Sequence, residues 1–97
     1  MNTLEAVKHN RIRVLILQIL SRQYPKPIDA VLLRRVLDDF GYPISEDLLR
    51  SYLAYLNERG CVRLDEKKAF DIVMASATAK ALDVLDGRII EQGIELD

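Results

Sequence analysis

The sequence has one cysteine, Cys61, and one histidine, His9, among its 97 residues. A lone cysteine cannot form a disulfide within the chain, and this pair falls short of the four ligands that a structural zinc site uses. We therefore expect no disulfide, no bound metal and a reducing, cytoplasmic compartment. We interpret Cys61 as an inert core residue rather than a nucleophile, because the single histidine lies on another predicted element.

Long apolar runs and glycine-rich loops are also missing. Runs such as Val14 to Leu17 span four residues, far below the roughly 20 residues that a membrane-spanning helix needs. The four glycines are scattered, so they form no phosphate-binding loop. Acidic pairs such as Asp38-Asp39 have no second cluster at a metal-ligand spacing. We expect a protein without a membrane span, without a cofactor and without enzymatic activity.

A basic excess is missing as well, since the net charge is −1. This argues against a general polyanion binder. The charge is unevenly distributed, because residues 1–35 hold seven basic and two acidic residues, whereas residues 36–66 hold three basic and seven acidic ones. The basic part of the chain is therefore its N-terminal third.

Three helices are predicted in the first part of the chain from apolar periodicity and from stop signals. Helix one contains no glycine or proline until Tyr24-Pro25-Lys26-Pro27 stops it, and a glycine follows each of the next two helices. The predicted ranges are Asn2 to Gln23 for helix one, about 30–40 for helix two after the N-cap Asp29, and about 46–59 for helix three after the N-cap Ser45.

A β-hairpin and a fourth helix are predicted to follow. Cys61 to Asp65 and Ala69 to Ala75 alternate apolar and polar residues around the charged turn Glu66 to Lys68. Thr78 or Ser76 caps a last helix that ends near Gly87. The whole chain, residues 1–97, is predicted to be one mainly α domain of the α+β class, a winged helix-turn-helix with the order helix, helix, helix, strand, strand, helix. Residues 88–97 form a tail for which no structure is predicted.

Two segments carry a resemblance to a known family. "LLRSYLAYLNERGCVRL", with Leu53, Leu56, Gly60 and Val62, and "IVMASATAKALDVLDG", with Thr78 at a helix cap, resemble winged helix-turn-helix regulators. Gly87-Arg88 and Gly93-Ile94 further resemble the ends of the small winged-helix proteins of Mu-like prophages, in which a proline often stands where this chain has Gln92. The resemblance implies a winged-helix fold and a phage or prophage origin, and such proteins are commonly labelled transcriptional regulators.

Helix three is predicted to be the DNA-reading helix, with a leucine stripe facing the core. Its outer face offers Arg50, Ser51 and Asn57 to bases, and Lys67 and Lys68 at the hairpin turn are placed to contact phosphates of double-stranded DNA. Glu46 and Asp47 complement the helix dipole, but they also occupy the place where a phosphate would bind. The alternative is a winged-helix module that binds another protein and no DNA.

The distribution of apolar residues on helix one predicts that the chain binds a second copy of itself. Its apolar residues surround the helix rather than forming one stripe, which is typical of a helix buried on more than one side. We therefore predict a homodimer through helix one and the tail, with an interface that contains Val14, Leu17, Ile89 and Ile90. The alternative is a monomer whose tail folds back over that surface.

Overall fold

The protein has an α+β fold, described for residues 3–96 by a computed structural model. Within those residues, four α-helices accompany a small three-stranded antiparallel sheet. The predicted start of helix one at Asn2 and the last residue of the tail, Asp97, lie outside the described residues. In chain order the elements are α1 (Leu4–Ser21), β1 (Ile28–Asp29), α2 (Ala30–Asp39), α3 (Glu46–Glu58), β2 (Val62–Lys67), a 3-10 turn (Lys68–Phe70), β3 (Ile72–Ala77) and α4 (Ala79–Leu85).

Side-chain caps begin all four of these helices. Asp29 accepts a hydrogen bond from the Val31 amide at 2.8 Å, and Ser45 accepts one from the Leu48 amide at 3.1 Å, as the sequence predicts. At the fourth helix the cap is Thr78 rather than Ser76. Each such bond satisfies an amide that has no partner within the first turn of the helix.

Helix α1 lies at the centre of the apolar core. It contacts α2, α4 and β3, and these several partners account for the apolar residues all around it. Its buried side chains are Ile12, Val14, Leu15, Ile16, Leu17 and Leu20. The core is completed by the apolar stripes of the other elements, which include Leu33, Leu37, Leu49, Leu53, Leu56, Val62, Ala75, Ala81 and Val84.

The hairpin is shifted toward the C-terminus relative to the prediction, and it turns later. Strands β2 and β3 pair from Val62 opposite Ala77 to Lys67 opposite Ile72, so the reversal occurs at residues 68–71 instead of 66–68. Asp71, with a φ of 53°, supplies the left-handed residue that closes the turn. The charged residues Glu66 and Lys67 resemble a turn in sequence, but they are exposed strand residues.

The third strand is missed by the sequence prediction. Residues Ile28 and Asp29 pair with Ala75 and Met74 on the free edge of β3, which gives the strand order β1-β3-β2. Two residues are too few to show a period-two pattern, and proline precedes them. This arrangement is compatible with a winged helix.

The tail folds back over the domain. Glu91 and Ile94 form a bridge, and Ile94 is 3% exposed. The Asn10 side chain of α1 donates to the Glu95 carbonyl at 2.8 Å and accepts from the Glu95 amide at 2.7 Å. This matches the alternative in which the tail covers part of helix one. None of the helices in residues 3–96 combines the length and apolar character needed to cross a bilayer.

Candidate nucleic-acid interface

Helix α3 separates a core face from a solvent face, as its sequence predicts. Its core side consists of Leu49, Tyr52, Leu53 and Leu56, all at most 3% exposed. The opposite side is continuously exposed along the helix and consists of Asp47, Arg50, Ser51, Ala54, Asn57 and Glu58. This second set, which we call the α3 outer face, is the surface that could enter a groove of DNA.

Arg50 is exposed on the α3 outer face, but it is not without a partner. Its Nη2 donates to Glu46 Oε1 at 3.1 Å, and the two side chains are 44% and 63% exposed. An exposed pair of residues four apart contributes only about 0.3–0.5 kcal/mol. A phosphate or a guanine can therefore replace Glu46 as the partner of Arg50 at little cost.

The other two predicted base-facing residues differ in their availability. Ser51 is exposed and lies at the edge of a shallow pocket shared with His9, Arg13 and Tyr52. Asn57 donates from Nδ2 to the Val62 carbonyl at 2.8 Å, so its amide joins the end of α3 to the start of β2. A base contact by Asn57 would require that bond to break.

The hairpin tip carries the predicted phosphate-contacting lysines on an exposed turn. Lys67 Nζ lies 2.8 Å from Asp65 Oδ2 with both side chains more than half exposed, and Lys68 is exposed in the 3-10 turn. Phe70, which the sequence places inside a strand, is 77% exposed at this tip. Two lysines and an exposed aromatic ring thus stand together at the end of the hairpin.

The hairpin tip and the start of α3 border one surface depression. Arg34 from α2, Glu46 and Arg50 from α3, and Asp71 from the hairpin turn all line it. Arg50 of the α3 outer face therefore lies beside Asp71, at the end of the hairpin turn. The sequence alone does not place Arg34 beside Arg50, because 16 positions separate them along the chain and helix packing brings them together.

A second cluster, missed by the sequence prediction, holds the tail against α1 and α3. The Tyr55 ring lies between two guanidinium groups, with Arg13 Cζ 3.9 Å and Arg59 Cζ 3.5 Å from its centroid. Tyr55 Oη and Arg59 Nε donate to the Gln92 carbonyl at 3.1 and 3.3 Å, and Arg13 Nη1 donates to the Gly93 carbonyl at 3.2 Å. These contacts clamp the tail by its backbone carbonyls.

An ion pair reinforces the same tail. Lys80 Nζ lies 2.6 Å from Glu91 Oε1 and donates to the Arg59 carbonyl at the same distance. The hydrogen bond to Glu91 raises the pKa of Lys80, and in return the bond from Lys80 lowers the pKa of Glu91. Both groups are therefore held in their charged forms near neutral pH.

Two potential nucleophiles, Cys61 and Tyr52, are buried. Cys61 is fully buried in the core, as predicted, and burial raises the pKa of its thiol. Burial likewise raises the pKa of the Tyr52 hydroxyl, which is hydrogen-bonded to His9 Nδ1. A raised pKa opposes formation of the reactive thiolate or phenolate.

The predicted dimer residues divide into two groups. Val14 is 4% exposed and lines a surface pocket with Glu95 and Leu96 of the tail, whereas Leu17 is fully buried within the single chain. Intrachain packing thus accounts for the burial of Leu17, and the prediction that these two residues lie at a dimer interface stays a prediction. Ile89 and Ile90 are 37% and 97% exposed and remain accessible.

Comparisons with protein-family models, curated proteins and solved structures give no match to this chain. Its function therefore has to be inferred from its own geometry. Among the residues that the structure describes, no group of three or more His, Cys, Asp or Glu side chains is placed to hold a metal ion. The surface formed by the α3 outer face and the hairpin tip is thus the strongest candidate site.

Proposed function

We propose that the chain is a winged-helix DNA-binding protein that acts as a homodimeric transcriptional regulator of phage or prophage origin and has no catalytic role. The observation that carries this proposal is the exposed α3 outer face, in which Arg50 lies beside Asp71 of the hairpin turn. In the proposed complex α3 enters the major groove, and the hairpin acts as the wing on the neighbouring backbone.

The dimensions of α3 support this placement. Its 13 residues span roughly 20 Å at 1.5 Å per residue, and a major groove about 12 Å wide admits a single helix. Arg50 and Ser51 then face base edges, while Lys67 and Lys68 face phosphates. Phe70 between the strands adds an apolar group of the kind that can pack into a minor groove.

The acidic residues on α3 limit the strength of this contact without preventing it. Glu46 is already paired with Arg50, so its charge is partly offset before DNA arrives. Asp47 and Glu58 stay exposed beside the reading residues. We therefore expect few phosphate contacts per copy and a need for two copies on one site, because the second contact is then intramolecular.

Substitution of Arg50 tests the proposal directly. With DNA from the protein's own locus, Arg50→Ala should weaken binding about 5- to 150-fold, as expected for loss of a bidentate contact to guanine. Arg88→Ala removes the same charge from the turn after α4 and should leave the affinity within about twofold. Binding should be measured as a salt titration. Absence of binding at low salt, or equal effects of the two substitutions, would refute the proposal.

A protein-interaction module without DNA binding is the second candidate. It is favoured by the acidic residues of the α3 outer face and by the net charge of −1. Electrostatic potential over the dimer separates the two proposals, because a DNA-binding surface needs a continuous positive strip across α3 and the wing. A negative surface there, together with an absence of DNA binding, would favour the interaction module.

A further inference from the structure

An apolar groove runs between α1 and α2, and none of its lining residues belongs to the proposed DNA surface. Its volume is about 840 Å³. Leu15, Ile19, Val36 and Leu85 contribute to its lining, and Leu32 and Phe40 line it while remaining 55% and 58% exposed. Two large apolar side chains that are more than half exposed beside one groove are typical of an interaction site rather than of ordinary surface.

Helix α2 has two apolar stripes, and the core accounts for one of them. Leu33 and Leu37 are fully buried in the domain. Leu32, Val36 and Phe40 recur every four residues along the adjacent side of the helix and line the groove. Within residues 3–96 no other segment covers this second stripe, so its apolar surface remains open to a partner.

Opposite charges mark the two ends of the groove. Arg22 lines one end together with Pro27, just before α2, and Lys26 is exposed in the same turn. Asp38 and Asp39 do not line the groove, but they are exposed just before Phe40 at the other end, where α2 stops. Among the ion pairs within residues 3–96, none uses these four charged side chains.

We propose that this groove is the homodimer interface and that the same face of a second copy occupies it, related by a two-fold axis. A two-fold axis through the middle of the groove makes the two grooves antiparallel. The basic end of one groove then meets the acidic end of the other. Phe40 of each copy then enters the partner's groove near its basic end. The inference rests on the dimer in the proposed function, but not on DNA binding.

Self-association fits this groove better than a small ligand does. Small-molecule sites enclose most of their ligand and present a few convergent polar groups. This groove is open to solvent, and its polar side chains, such as Gln18 and Arg22, come from the exposed side of α1 and the turn after it. The interface also differs from the one that the sequence predicts, since neither Ile89 nor Ile90 lines the groove.

The molar mass of the full chain across micromolar concentrations tests the proposal without DNA. Wild type should be a dimer, and Phe40→Glu should raise the dimer dissociation constant by at least about 30-fold, as loss of a buried aromatic anchor does. Phe70→Glu and Ile90→Glu place the same charge at exposed positions outside the groove and should leave the dimer intact. Circular dichroism should show that each variant is folded.

A charge exchange provides the second measurement. Arg22→Glu and Asp39→Lys should each weaken the dimer by about tenfold, and the double variant should recover most of that loss, because the reversed charges pair again. A monomeric wild type, a dimer that survives Phe40→Glu, or a dimer lost in Ile90→Glu instead would overturn the proposal. A double variant whose dimer dissociation constant is as high as that of the weaker single variant would also overturn the proposal. These results are independent of whether Arg50 contributes to DNA binding.

Discussion

Gly93→Ala should destabilise the protein by about 2–4 kcal/mol. Gly93 has a φ of 83°, where a side chain costs about 1–2 kcal/mol. In addition, a Cβ at this position would clash with Tyr55 Oη and would lie 2.7 Å from Tyr55 Cζ. Tyr55 is held between Arg13 and Arg59, so its ring cannot move aside without loss of both stacking contacts. The tail must shift or detach.

Gly87→Ala is the matched control for this prediction. Gly87 has a similar φ of 79°, but a Cβ there would meet no atom within 4 Å. We expect a loss of about 1–2 kcal/mol from the backbone conformation alone. Urea unfolding of both variants would measure the difference. Equal losses for the two alanines would contradict the tail clamp formed by Arg13, Tyr55 and Arg59.

Leu17→Ala should cost about 2–5 kcal/mol, as is usual for truncation of a fully buried leucine. The sequence predicts Leu17 as a dimer residue, whereas the structure places it in the core of each chain. The loss should therefore be the same at low and high protein concentration, because it belongs to the folding of one chain. Unfolding curves at two concentrations would measure it.

Ile90→Ala provides the comparison for Leu17→Ala. Ile90 is 97% exposed, so its truncation should change the free energy of unfolding by less than about 0.5 kcal/mol. If the effect of Leu17→Ala instead grew with protein concentration, Leu17 would lie at an interface between chains. That result would restore the sequence prediction and contradict the packing of α1.

Local sequence signals predicted the elements that depend on neighbouring residues. The N-cap Ser45, the leucine stripe of α3 and the glycine that follows it all act within a few positions, so the range 46–59 agrees closely with Glu46–Glu58. The caps Asp29 and Thr78 were found for the same reason. Such signals are strong because each one satisfies a hydrogen bond or a packing need of its own helix.

Contacts between residues that are distant along the chain could not be predicted from the sequence. The tail is held by carbonyls of Gln92 and Gly93, and a carbonyl leaves no trace in a residue pattern. Strand β1 is two residues long and exists only because the edge of β3 is available. The apolar residues all around α1 correctly predict that this helix is buried on several sides. The sequence does not show whether the covering surfaces belong to the same chain or to a second copy of it.

The candidate site shows the same division. Arg50 and Ser51 were predicted on an outer face, and they lie there. The ion pair between Glu46 and Arg50 follows from their spacing of four residues, although the sequence prediction names Glu46 only as a complement to the helix dipole and as an obstacle to phosphate. Arg34 lies beside Arg50 because α2 packs next to α3. This packing is visible in the folded structure but not in the sequence.

Mapping of backbone amide shifts on titration with DNA from the protein's own locus tests the central claim most directly. We predict that the shifts concentrate in Glu46–Glu58 and around the hairpin tip, from Lys67 to Asp71, because these segments make up the proposed DNA-binding surface. The amides that line the α1–α2 groove should shift little. Shifts confined to that groove or to the tail, with α3 unchanged at saturating DNA, would contradict the account of α3 as the reading helix.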